Sequence, residues 1–68
     1  MKGTITRLFK AKGFGFIQGE DNIDRFFHRD GLVARVDFNN LSEGDSVVFE
    51  HQTDYKGKGP RAEHVDLV

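Results

Sequence analysis

In Lys12-Gly13-Phe14-Gly15-Phe16-Ile17 glycine alternates with phenylalanine, and that alternation restricts what the chain can build around it. Successive side chains of a strand point to opposite faces, so Phe14 and Phe16 share one face while Gly13, Gly15 and Ile17 share the other. The glycine face lets the strand bend closely over a small barrel interior. The other face holds two flat rings with Lys12 beside them, which suits unstacked nucleobases, each offering a π-face and a nearby phosphate. Two rings on one strand face also suit a hydrophobic core, and the hexapeptide alone leaves both readings open.

The frame available for such a strand is small. A chain of 68 residues is expected to form one domain spanning 1–68, and at this size only about 60% of the unfolded surface is buried. Without cysteine, neither a disulfide framework nor a thiolate zinc site can staple the fold. The core must hold it alone. No apolar run approaches the roughly 20 residues that span a bilayer, and Met1-Lys2-Gly3-Thr4 lacks the apolar stretch of a signal peptide. A cytoplasmic protein without membrane contact is expected.

A formal net charge of −1 argues at first against a nucleic-acid partner. Its distribution argues the other way. Residues 1–19 carry Lys2, Arg7, Lys10 and Lys12 with no acid, residues 37–54 carry Asp37, Glu43, Asp45, Glu50 and Asp54 with no Lys or Arg, and Lys56, Lys58 and Arg61 form a third, basic block. If the first and third blocks meet in the fold, one face is positive although the molecule is not, and a phosphate chain senses the local potential.

Along the chain, Thr4–Phe9 reads as a strand with imperfect alternation, because Ile5, Arg7 and Phe9 fall on one parity. A bulge or a strong twist reconciles an inward Ile5 with an outward Arg7. After Ile17, residues 18–22 contain turn formers, and Ile23–His28 is the next strand. One of its faces carries Asp24, Phe26 and His28 and the other Arg25, Phe27 and Arg29, so parity alone does not separate inside from outside. Paired antiparallel with the second strand, Phe26 and His28 extend the ring platform of Phe14 and Phe16. A single helical turn fits Asp30–Val33. Phe38, set in Asp37-Phe38-Asn39-Asn40, is expected to be an exposed ring, Leu41 an anchor and Ser42–Asp45 a turn. Ser46–His51 is a strand with Val47 and Phe49 inward, residues 52–60 form a polar loop, and Arg61–Leu67 is the last strand, with Ala62, Val65 and Leu67 as its apolar positions. About five short strands with regular turn signals and no helical period indicate an all-β fold, a small barrel.

These motifs resemble the cold-shock domain family of oligonucleotide-binding-fold barrels, nearly end to end from Gly3 to Val65. Lys12–Ile17 is similar to the family's first ribonucleoprotein motif and Asp24-Arg25-Phe26-Phe27-His28 to its second, with Phe38, Leu41-Ser42-Glu43-Gly44 and Lys58-Gly59-Pro60 matching further on. In RNA-recognition-motif domains a similar Lys-Gly-Phe-Gly-Phe run follows the other motif within a longer α/β chain. The resemblance implies a small five-stranded antiparallel Greek-key barrel whose second and third strands display rings to single-stranded DNA or RNA. It assigns base stacking to Phe14, Phe16, Phe26, His28 and Phe38, phosphate or base-edge contacts to Lys12 and Lys58, and a hydrogen bond at a base edge to Asp24. It also places Phe27 inside with Ile5, Ile17, Leu32, Val47, Phe49 and Val65. The implied cellular role is an RNA chaperone or a transcription or translation regulator.

Three departures are arginines. Arg7 stands where the family usually has a stacking Trp, Arg29 where it usually has Phe, and Arg25 at an apolar position, where it must either snorkel out of the barrel or distort the strand. A guanidinium can stack on a base as well as pair with phosphate, so Arg7 and Arg29 join the candidate binding residues and shift binding from stacking toward electrostatics. His28, His51 and His64, spaced 23 and 13 apart with no cysteine, match no usual zinc pattern. Glu20 and Asp21 sit in an open turn that offers no desolvation to separate an acid from a base. No metal, cofactor, small-molecule substrate or catalysis is therefore expected, and the chain is expected to be a monomer. The competing function is a protein-interaction barrel using the same aromatic patch.

Overall fold

The computed structural model describes residues 1–52 and 59–68. Five strands, β1 (Lys2–Phe9), β2 (Phe14–Gly19), β3 (Asp24–His28), β4 (Ser46–Gln52) and β5 (Arg61–Leu67), close a barrel in the order β1-β2-β3-β5-β4. The pairings β1–β2, β1–β4, β2–β3 and β4–β5 are antiparallel. β3 and β5 run parallel, Phe26 opposite Arg61, so closure uses one parallel contact within an otherwise antiparallel barrel. Two short 3-10 turns, Arg29–Gly31 and Phe38–Asn40, lie in the long connection between β3 and β4. The first falls one residue before the expected helical turn.

Inside lie Ile5, Ile17, Phe27, Leu41, Val47, Phe49, Ala62 and Val65, none more than 4% exposed. Burying each large side chain contributes about 1.5–3 kcal/mol, and in so small a barrel this set supplies most of the driving force. Two irregularities let imperfectly alternating sequences feed it. The β1–β2 register shifts between Ile5 and Arg7, so Ile5 points inward while Arg7 and Phe9 both turn outward. In β5, His64 adopts φ 51°, and the facing register shifts between Val48 and Glu50, so Ala62 and Val65 both reach the core. Leu67, beyond that irregularity, is left 38% exposed, and Leu32 is only partly buried against the core.

Phe38 corrects the expectation of an exposed ring. It is 7% exposed and packs on Phe27 with ring centroids 6.1 Å apart. The polar neighbours that suggested exposure are engaged in building its turn. Asp37 Oδ1 accepts from the Asn39 amide at 3.0 Å, capping the 3-10 turn, and the Lys10 ammonium donates to the Asn39 carbonyl at 3.0 Å. The capped turn rolls the one apolar side chain inward. Three acids of the 37–54 block are consumed in this way by backbone amides: Asp37, Glu43 accepting from Leu8, and Asp45 accepting from Ser42.

Arg25 neither snorkels nor distorts β3. Its register with Ile17 is regular, and it is 1% exposed. Nη1 and Nη2 donate to the two carboxylate oxygens of Asp21 at 2.9 and 2.6 Å, Nη1 also to the Ile23 carbonyl, and Nε donates to His51 Nδ1 at 2.7 Å. The guanidinium carbon lies 5.4 Å from the Phe49 ring centre. A buried charge is tolerated when its donors are paired, and here each nitrogen of the fork has a partner.

Candidate nucleic-acid interface

Glycine brings the outward strands together. Gly13 closes the β1–β2 turn at φ +75°, donating its amide to the Phe9 carbonyl at 2.9 Å. At Gly15 a Cβ would stand 2.5 Å from the Arg7 carbonyl and 2.8 Å from the Phe27 ring. A side chain there would hold β1, β2 and the core ring apart.

Across the three strands the registers place Phe9 opposite Phe14 and Phe14 opposite His28, then Arg7 opposite Phe16 and Phe16 opposite Phe26. Four phenylalanine rings consequently meet on one surface, all half-buried. Phe9 stacks on Phe14 at 4.9 Å and 27°, and Phe14 lies 5.5 Å from Phe26 at 32°. Phe16 stands nearly perpendicular to all three, at 85°, 86° and 74°. Edge-to-face and offset contacts of this kind stabilise aromatic pairs by about 0.5–1.5 kcal/mol beyond area burial, so the platform is fixed by its own rings. His28 is oriented by the turn that follows it, its Nδ1 accepting from the Asp30 amide at 3.1 Å.

Cations border the rings. Arg7 is exposed, its guanidinium carbon 5.9 Å from the Phe9 ring centre. Lys12 is exposed in the β1–β2 turn. Arg29 runs alongside Gly13, where a Cβ would lie 3.1 Å from its Cδ, and its amide donates to the Gly13 carbonyl. Arg61 places its guanidinium carbon 5.5 Å from the Phe26 ring centre and pairs with Glu63 at 3.4 Å. Among the described residues Arg7, Lys12 and Arg29 make no ion pair.

Of the candidates from the sequence, Arg7, Lys12, Phe14, Phe16, Asp24, Phe26, His28 and Arg29 therefore lie on or around this face. Phe38 does not, being in the core, and Lys58 lies outside the described residues. Phe9 and Arg61 are additions. The signal for Phe9 was present: once a bulge turns Arg7 outward, Phe9, two residues on, must follow it.

A closed five-stranded barrel of the oligonucleotide-binding type, presenting rings and cations from three adjacent strands, is a nucleic-acid-binding architecture in form. The 'Cold-shock' DNA-binding domain profile matches residues 1–68, and the chain belongs to that family, whose members are in general nucleic-acid-binding proteins. It is 42% identical over 67 residues to "Cold shock protein 2" of Lactiplantibacillus plantarum, with 96% of each chain covered. "Cold shock protein 1" of the same organism is 38% identical over 66 residues, again with 96% of each covered. The "Cold shock-like protein" of Thermotoga maritima is 37% identical over 68 residues, covering 100% of this chain and 98% of the relative.

Among the described residues, no group of three or more His, Cys, Asp or Glu could hold a metal ion, and no helix is long and apolar enough to cross a membrane.

Proposed function

We propose that the chain is a monomeric, cytoplasmic binder of single-stranded DNA or RNA that seats its ligand on the outward face of β1, β2 and β3. The observation that carries this reading is the cluster of four half-buried phenylalanines and His28, bordered by Arg7, Lys12 and Arg29 without ion pairs among the described residues. Bases stack on the rings, which is sequence-tolerant because every base has a π-face. The cations neutralise phosphates, and by family resemblance Lys58 joins them. The face accommodates about 6 or 7 nucleotides. Without catalysis, such a protein melts weak secondary structure by trapping the unpaired strand, the action of an RNA chaperone or of a regulator of transcription or translation.

The test is a fluorescence anisotropy titration of labelled oligo-dT and oligo-rU at several salt concentrations. Binding should weaken linearly in log[salt], with a slope of about 0.7 per phosphate neutralised. No binding at low salt would sink the reading. A protein-interaction barrel would show its own partner binding with little salt dependence.

A further inference from the structure

An open depression of about 360 Å3 lies in the aromatic face, lined by Thr6, Arg7, Phe16, Asp24, Phe26 and Pro60 among others. Phe16 and Phe26 form its wall, meeting at 6.1 Å and 74°. Arg7 is the β1 partner of Phe16, and Asp24 lies two residues from Phe26 on the outward side of β3. Arg7 and Asp24 thus rise from the two strands that flank β2, two strand spacings apart across the sheet and offset by two residues along it, because Asp24 is level with Gln18, which separates their backbones by roughly 12 Å. Both residues are exposed, and among the described residues neither makes an ion pair.

A carboxylate only accepts hydrogen bonds and a guanidinium only donates them. A flat occupant that satisfies both must present adjacent donors on one edge and adjacent acceptors on the next. Guanine does so, with N1–H and N2–H2 as neighbouring donors and O6 and N7 as neighbouring acceptors, the latter being the common target of a bidentate arginine. Uracil and thymine offer one N–H between two carbonyls. Adenine and cytosine set a ring-nitrogen acceptor beside their amino group, which a carboxylate repels. The geometry points to this depression as a guanine-selective subsite, in which Asp24 accepts from N1–H and N2–H, Arg7 donates to O6 and N7, and the Phe16–Phe26 wall carries the base. The assignment rests on the single-strand reading above, since the rings and phosphate contacts bring the strand and this subsite selects one of its bases.

The experiment compares labelled oligo-dT carrying one central dG, dA, dC or deoxyinosine, titrated against the wild type, Asp24→Asn and Arg7→Lys. With the wild type, dG should bind about tenfold more tightly than dA, and deoxyinosine, which lacks the N2 amino group, should fall between them. The dG/dA ratio should drop to about one in Asp24→Asn and should shrink in Arg7→Lys, whose ammonium keeps the charge without the fork. A wild-type ratio of one, or a preference that survives Asp24→Asn, overturns the subsite while leaving single-strand binding intact. Absence of binding to every oligonucleotide at low salt overturns the single-strand reading itself.

Discussion

Along β3 the inward side chains of Arg25 and Phe27 are 1% and 0% exposed, whereas on the outward side Phe26 and His28 are half-buried and Asp24 is open to solvent. Each side carries a ring and a charge, and what separates them is burial and, for the charges, whether a partner is already supplied. Arg25 finds Asp21, His51 and the Ile23 carbonyl within the fold, and Phe27 finds Phe38. Asp24 has no ion pair among the described residues, and Phe26 has Arg61 close to its ring. The inward side contributes stability, and the outward side is left with capacity for a ligand. Arg7 and Arg25 repeat the contrast: two arginines, one open to solvent and one enclosed.

The two sides of β3 should separate most strongly at the two adjacent phenylalanines. Phe27→Ala removes a fully buried ring and should lower unfolding stability by about 3–5 kcal/mol in urea titrations, with the remaining folded protein still binding oligonucleotide. Phe26→Ala should do the reverse, costing about 1–3 kcal/mol of binding with a smaller change in urea midpoint, and Phe14→Ala should behave similarly. If both substitutions at β3 act mainly on stability, the two-sided description of the strand is wrong. Between the arginines, Arg7→Ala should reduce the salt slope by about one phosphate equivalent. Arg7→Trp should strengthen binding while reducing its salt sensitivity, because it exchanges charge for stacking area.

A smaller effect belongs to the enclosed arginine and appears with acid. Hydrogen bonding to Arg25 holds the Asp21 carboxyl below its ordinary value of 3.8, and Arg35 holds Asp66 below the same value. A carboxyl depressed in the folded state contributes stability in full above its unfolded value, and that contribution is lost as pH falls through 3.8 toward the lower folded value. Thermal unfolding should therefore show a loss of stability below about pH 4, and Asp21→Asn should remove part of that acid dependence. An unchanged acid profile in Asp21→Asn would show that the Arg25–Asp21 pair contributes no such linkage.

Strand positions and the shared parity of Phe14 and Phe16 were legible in the sequence because glycine alternates with phenylalanine and turn formers bracket the run, whereas the outward direction of that parity came from the second motif, the basic flanks and the family resemblance. The β1 bulge was legible too, since Ile5 and Arg7 cannot both suit one face of a regular strand. Phe38 was not, because polar neighbours mark exposure only until they are seen to cap a turn. Nor was the fate of Arg25, whose partners lie 4 residues before it and 26 after it, a convergence that no local pattern announces. Phe9 was legible in principle, but parity beyond a bulge has to be counted afresh.

Single strands are proposed to bind on the outward face of β1, β2 and β3. A 1H–15N NMR titration with an oligo-dT of about 7 nucleotides at low salt tests it most directly. Shift changes should concentrate at Arg7, Phe9, Lys12, Phe14, Phe16, Phe26 and His28, leaving Lys2, Ser46 and Val68 on another surface unmoved. Changes confined to that other surface, or none at all, would contradict the account.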